Sequence, residues 1–95
     1  MNLAVLGSGG REHAICYKLK QSSKIKKLFC IPGNAGTQKI AKNIKADISN
    51  FDKLYQVIKK NKIELVIVGP EQPLVDGIVD YLNKKKVRVF GPDKY

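Results

Sequence analysis

The sequence is poor in the residues that staple a fold, span a membrane or read nucleic acid. Two cysteines, Cys16 and Cys30, in 95 residues are too few for a disulfide scaffold. They read as two buried thiols of a reducing cytosol. The longest uncharged apolar stretches, Leu3 to Leu6 and Leu65 to Val68, fall far short of the roughly 20 residues that cross a bilayer. No basic leader stands ahead of an apolar segment near Met1, which argues against a secretory signal. Histidine occurs once, at His13, so no metal cluster or nucleophilic triad can be assembled around it from this chain. Arginine is scarce as well: of the 18 cations only Arg11 and Arg88 are Arg. Base-edge readout and stacking favour the planar guanidinium over the lysine ammonium, and no aromatic residues interleave with the lysines as a stacking platform. The net charge of +10 therefore reads as a solvated lysine-rich surface. No nucleic acid and no membrane partner is expected.

What is present describes one compact α/β domain. A chain of this length buries roughly two-thirds of its unfolded surface, enough for a single core, and a 43% hydrophobic content is ordinary for a globular protein. Apolar runs at Asn2–Leu6, Leu28–Ile31, Leu65–Val68 and Val87–Phe90 predict four strands, and Ile44, Ala46 and Ile48 alternate as a short extended piece. Helical spacing places Ala14, Ile15 and Leu19 on one face between Arg11 and Gln21, and Leu54, Val57 and Ile58 on one face of a helix capped by Asn50 or Asp52. Val75, Ile78, Val79 and Leu82 form the stripe of a third helix, from about Leu74 to Lys84. Strands that alternate with helices and are apolar on both faces require a parallel sheet covered on both sides. The expected fold is a half-Rossmann three-layer sandwich: an open parallel sheet of about four strands with helices on both faces.

Four Gly/Pro-rich loops, at 7–10, 32–37, 69–73 and 91–92, each follow a strand directly. In a parallel sheet they all lie at the carboxyl edge, where ligands bind at the topological switch point. The first loop fails as a dinucleotide fingerprint, because Gly7-x-Gly9-x-x-Glu12 has an acid in place of the third glycine. A glycine loop running into a helix N-terminus, with free N–H groups and the positive dipole end, still suits a phosphate or another anion. Arg11 is able to clamp a phosphate or carboxylate, and Glu12 is favoured near the positive helix end. Glu71, held between Pro70 and Pro73, offers a carboxylate to hydroxyls or an amine. Asn34 and Thr37 offer hydrogen bonds from the second loop.

Three of these loops carry a resemblance. Val5-Leu6-Gly7-Ser8-Gly9-Gly10-Arg11-Glu12-His13-Ala14 is similar to the opening of the phosphoribosylamine–glycine ligase family, also called glycinamide ribonucleotide synthetases. Pro32-Gly33-Asn34-Ala35-Gly36-Thr37 and Val68-Gly69-Pro70-Glu71-Gln72-Pro73-Leu74-Val75-Asp76-Gly77 resemble its second and third signatures, in the same order. Gly91-Pro92 matches the end of its fourth strand. The resemblance covers the whole chain, and three motifs in register make it specific.

The resemblance implies an ATP-dependent carbon–nitrogen ligase of de novo purine synthesis, cytoplasmic, joining 5-phosphoribosylamine and glycine to give glycinamide ribonucleotide, ADP and phosphate. It further implies that residues 1–95 are the N-terminal, pre-ATP-grasp domain, which packs against an ATP-grasp domain of its own protein. ATP and Mg²⁺ (or Mn²⁺) are then bound mainly outside this chain, which is not expected to be active by itself. The substrate-facing residues implied are Gly9, Gly10, Arg11, Glu12, His13, Asn34, Ala35, Gly36, Thr37, Pro70 and Glu71, with phosphoribosylamine rather than ATP as their ligand; no catalytic residue and no metal ligand is assigned. Two alternatives remain: the N-terminal domain of another ATP-grasp ligase or carboxylase, and a basic nucleic-acid-binding module.

Overall fold

A computed structural model describes residues 1–7, 10–68 and 75–90, and their side chains except those of residues 10–13 and 75–76. In chain order the elements are β1 (Asn2–Gly7), α1 (Gly10–Lys20), β2 (Lys27–Pro32), a 3₁₀ turn (Thr37–Lys39), β3 (Lys42–Asn43), α2 (Phe51–Lys60), β4 (Leu65–Val68), α3 (Val75–Lys84) and β5 (Arg88–Phe90). The strands form one sheet of order β3-β2-β1-β4-β5, parallel throughout. This is the expected half-Rossmann architecture with one strand more than the four expected. The extra strand, β3, is only two residues long and pairs Phe29 with Lys42 and Cys30 with Asn43. It precedes the alternating Ile44, Ala46 and Ile48. Those three pack against the edge of the core instead, so their period of two reflects an apolar side turned inward from irregular backbone rather than a ladder.

The sheet separates two apolar layers. On one side Ala4, Leu6, Phe29, Ile31, Val66 and Val68 meet Leu54 and Ile58 of α2 and Ile78 and Leu82 of α3. Each of these helical side chains removed from water contributes about 1.5–3 kcal/mol. On the other side Leu3, Val5 and Cys30 meet Cys16 of α1. Among the described side chains of α1 the buried one is Cys16, flanked by the half-buried Ile15 and Leu19, whereas Ala14 is exposed. At 100° per residue Cys16 shares the inward stripe with Leu19 three residues on, and Ala14 turns away from it. Cys16 and Cys30 are buried thiols not linked by a disulfide.

Burial on both faces does not extend across the whole sheet. Leu65 and Ile67 pair with Leu3 and Val5 and so face the α1 side, but α1 packs on β1 and β2. Leu65 and Ile67 remain half-buried, and Phe90, which pairs with Ile67, is 61% exposed.

The helix boundaries have local causes. Asn50 rather than Asp52 caps α2, its side chain accepting from the Lys53 N–H at 3.2 Å. Both α2 and α3 end in Schellman turns. The Ile63 N–H donates to the Ile58 carbonyl at 3.0 Å and the Lys62 N–H to Lys59 at 3.2 Å. The Val87 N–H likewise donates to Leu82 at 2.9 Å and the Lys86 N–H to Asn83 at 3.0 Å. The residues in left-handed conformation at these turns are lysines, Lys62 (φ 54°) and Lys86 (φ 64°), where glycine is usual.

Candidate functional site at the carboxyl edge

β1 lies between β2 and β4, so the chain reverses its direction of travel across the sheet at β1. In open α/β sheets ligands bind outside the carboxyl ends of the strands at such a switch point. The partners Leu6–Val68 and Gly7–Pro32 set the ends of β1, β2 and β4 side by side. The first and third glycine motifs therefore start from adjacent strands although about 60 residues separate them in sequence. The first and second motifs touch directly. The Gly33 N–H donates to the Gly7 carbonyl at 3.0 Å, and the same carbonyl accepts from the Cys30 thiol at 3.5 Å. Gly7 (φ 138°) and Gly33 (φ 76°) both occupy backbone conformations that side chains disfavour. The Ile31–Pro32 peptide bond is cis.

The second loop is held by a closed hydrogen-bond network. The Asn34 N–H donates to the Thr37 hydroxyl at 2.8 Å, and the Thr37 N–H donates to Asn34 Oδ1 at 2.9 Å. The Thr37 hydroxyl lies 2.8 Å from Asn43 Oδ1 and 3.0 Å from the Asn34 carbonyl. That carbonyl also accepts from Asn43 Nδ2 at 2.7 Å and from the Gln38 N–H at 3.1 Å. Thr37 is fully enclosed and is the sole buried polar side chain among the described residues. Its hydroxyl holds the loop together from within. The outward surface belongs to Ala35, which is exposed, and to the half-buried backbone at Gly33, Asn34 and Gly36.

The expected site residues fall into three groups. Asn34, Ala35, Gly36 and Thr37 form the loop just described, on the end of β2. Gly10, Arg11, Glu12 and His13 form the first turn of α1, whose backbone N–H groups open toward the carboxyl edge; the side chains of Arg11, Glu12 and His13 lie outside the described ones. Gly9, Pro70 and Glu71 lie outside the described residues. Asn43 escaped the sequence reading, because an isolated Asn between Lys42 and Ile44 carries no pattern. Its importance arises only when β3 pairs with β2 and brings it under the loop.

Among the described residues no group of three or more His, Cys, Asp or Glu is placed to hold a metal ion. The described groups left open at this edge are backbone amides, which suit sugar hydroxyls or an anion. No helix of the described residues is long and apolar enough to cross a membrane.

Comparison with known proteins decides the lineage. The family profile described as "Phosphoribosylglycinamide synthetase, N domain" matches residues 1–95. The chain belongs to this family. A phosphoribosylamine–glycine ligase of Caldanaerobacter subterraneus subsp. tengcongensis is 46% identical over 94 residues, covering 99% of this chain and 22% of the relative. The ligase of Rhodopirellula baltica is 50% identical over 93 residues, covering 98% of this chain and 21% of the relative. The "Trifunctional purine biosynthetic protein adenosine-3" of Drosophila pseudoobscura pseudoobscura matches 98% of this chain at 46% identity within 7% of its own length. In three dimensions the chain superimposes on the crystal structure of a phosphoribosylamine–glycine ligase from Thermotoga maritima with a TM-score of 0.65 and 27% identity, covering 97% of this chain and 19% of that one. The chain thus spans about a fifth of the length of the ligases it matches. As a phosphoribosylglycinamide synthetase N domain, it sets the ends of β1, β2 and β4, from which the three glycine-rich family motifs start, side by side at one sheet edge.

Proposed function

We propose that this domain forms one wall of the active site of an ATP-dependent ligase that joins 5-phosphoribosylamine to glycine in the cytoplasm. The observation that carries this reading is the family match over residues 1–95, with the second motif built as a rigid loop against Gly7 at the switch point. In the reaction, ATP phosphorylates the glycine carboxylate, and the amine of phosphoribosylamine displaces that phosphate to form the amide.

The contribution assigned to this chain is substrate positioning. The first turn of α1 with Gly9, Gly10 and Arg11 receives the ribose phosphate, since helix N–H groups and a guanidinium both complement an anion. Glu12, His13, Pro70 and Glu71 line the approach to the sugar and amine. The Asn34–Thr37 loop supplies shape through Ala35, Gly36 and the backbone, because its polar side chains are spent on holding it. ATP and Mg²⁺ are assigned to an ATP-grasp part outside residues 1–95.

The test is kinetic and uses the ligase containing residues 1–95 joined to that part. Arg11→Ala is expected to raise the KM for phosphoribosylamine by about tenfold or more, as loss of a charge-assisted phosphate contact does, and to leave the KM for ATP nearly unchanged. An unchanged KM for phosphoribosylamine would overturn the assignment of Arg11.

A further inference from the structure

The lysines look scattered along the sequence, but the topology sorts them. In a parallel sheet every strand start and every covering-helix end lies on the same edge. Here that edge, opposite the candidate site, receives Lys20, Lys60 and Lys84 as the last residues of the three helices and Lys27, Lys42 and Arg88 as the first residues of β2, β3 and β5. Lysines in the last helical turn complement the negative end of the helix dipole, which accounts for Lys20, Lys60 and Lys84. It does not account for Lys27 and Lys42, which begin strands.

A cavity of about 500 Å³ is sunk into this edge, between the end of α2 and the starts of β1, β2 and β3. Lys27, Lys42, Lys60 and Lys62 line it together with Asn2 and Asn61 over a floor of Leu28 and Phe29, and no described acidic side chain lines it. The acid nearest along the chain, Glu64, is engaged by the Asn2 main-chain N–H at 3.2 Å. The wall is braced: Asn2 Nδ2 donates to the carbonyls of Asn61 and Lys62 at 3.3 and 3.2 Å, tying the turn after α2 to the start of β1. Four ammonium groups around one concavity repel one another until a multivalent anion joins them. The cavity has the size of a small-molecule site. Phe29 is only 4% exposed, so no aromatic face is offered for stacking the bases of a nucleic-acid strand.

We propose that this amino-edge cavity binds a small anion carrying a chain of two or more phosphates, at a place separate from the candidate active site. Lysine suits such a ligand because it acts as a point charge toward phosphate oxygens without demanding a planar partner.

Calorimetric titration of the 95-residue chain with inorganic tripolyphosphate tests this. One-to-one saturable binding that persists at about 0.15 M salt is expected, since a concave site is screened less than exposed charges. Lys27→Gln combined with Lys42→Gln should weaken it about tenfold or more, whereas Lys18→Gln combined with Lys84→Gln, the same charge loss in the last turns of α1 and α3, should change it less than about twofold. Amide shifts in the unsubstituted chain at Asn2, Phe29, Asn61 and Lys62 provide a second readout that needs no variant. Adenosine triphosphate binding as tightly as tripolyphosphate, or more tightly, supports the site and tells a bare phosphate chain from a nucleotide. Equal weakening by both double substitutions, absence of saturation, or tighter binding of a single-stranded oligonucleotide would each overturn it. Ligase activity plays no part in this measurement, so its outcome is independent of the proposed function.

Discussion

Gly33 and Asn43 occupy each other's space: a Cβ built on Gly33 would fall inside the Asn43 side-chain amide. The amide fits only because residue 33 has no side chain, and that amide in turn holds the Asn34 carbonyl and the Thr37 hydroxyl. A glycine that satisfies a left-handed φ of 76° therefore also makes room for the group that locks the next four residues. Conformation and packing act here through one atom that is missing.

Gly33→Ala should destabilise the chain by about 2–4 kcal/mol, combining left-handed strain of about 1 kcal/mol with displacement of Asn43 from its buried partners. Asn43→Ala alone should cost about 2 kcal/mol by leaving Thr37 and Asn34 short of partners. In the double variant the clash is absent, so the two losses should add up to more than the combined one by over about 1 kcal/mol. Urea unfolding of the three variants measures this, and additive losses would refute the link.

The Schellman turn after α3 places Lys86 at φ 64°, a conformation that costs a lysine about 1–2 kcal/mol more than glycine. Lys86→Gly should accordingly stabilise by about 0.5–1 kcal/mol after the larger unfolded-state entropy of glycine is counted. For a domain of this size that raises the melting temperature by about 2–6 °C. Lys86→Ala, which removes the charge and keeps the strain, should show no such gain in a calorimetric scan.

Two exposed groups predict opposite responses to pH. The Ser49 hydroxyl (2.6 Å) and N–H (2.9 Å) both donate to Asp47 and hold its carboxyl below the ordinary value of 3.8. A depressed carboxyl pKa stabilises above the unfolded pKa, and that contribution disappears as pH falls through the folded one. The Tyr81 hydroxyl donates to the Asp52 carboxylate, which, with some desolvation and the negative charge itself, holds the phenol above its ordinary 10.0. That contribution is complete below the unfolded pKa and is lost as pH rises through the raised folded value. Carboxyl-carbon NMR should show Asp47 moving upward in Ser49→Ala, and ultraviolet titration should show Tyr81 moving downward in Asp52→Asn. Unmoved titrations would remove these bonds from the account.

The site was legible in the sequence to the extent that it was built from strand ends. Loops rich in glycine and proline at 7–10, 32–37 and 69–73 announce themselves because strands stop there, and the parallel rule then sends them to one edge. What Asn34 and Thr37 do there was not legible. A polar side chain in a loop is equally able to face a ligand or its own backbone, and only the position of Asn43 under the loop turns both inward. The burial of Cys16 in place of Ala14 has the same origin, since α1 has a weakly defined apolar stripe and the orientation of β1 and β2 beneath it selects the face.

By itself the sequence determined the order and kinds of the three helices and the four longer strands, because periods of 2 and 3.6 and the punctuation of glycine, proline and Asn50 are local properties. It also determined the lineage, through three motifs in register. Tertiary structure alone decided which distant residues meet. The strand order placed β1 between β2 and β4, joining Gly7 to Gly33 and setting Leu6 beside Val68. The same topology gathered Lys27, Lys42, Lys60 and Lys62 around one cavity. The low arginine and aromatic content with which the chain first argued against a nucleic-acid surface still holds, but the lysines are not scattered in space. Their separation along the chain is a one-dimensional fact, and a parallel sheet folds every strand start onto one edge.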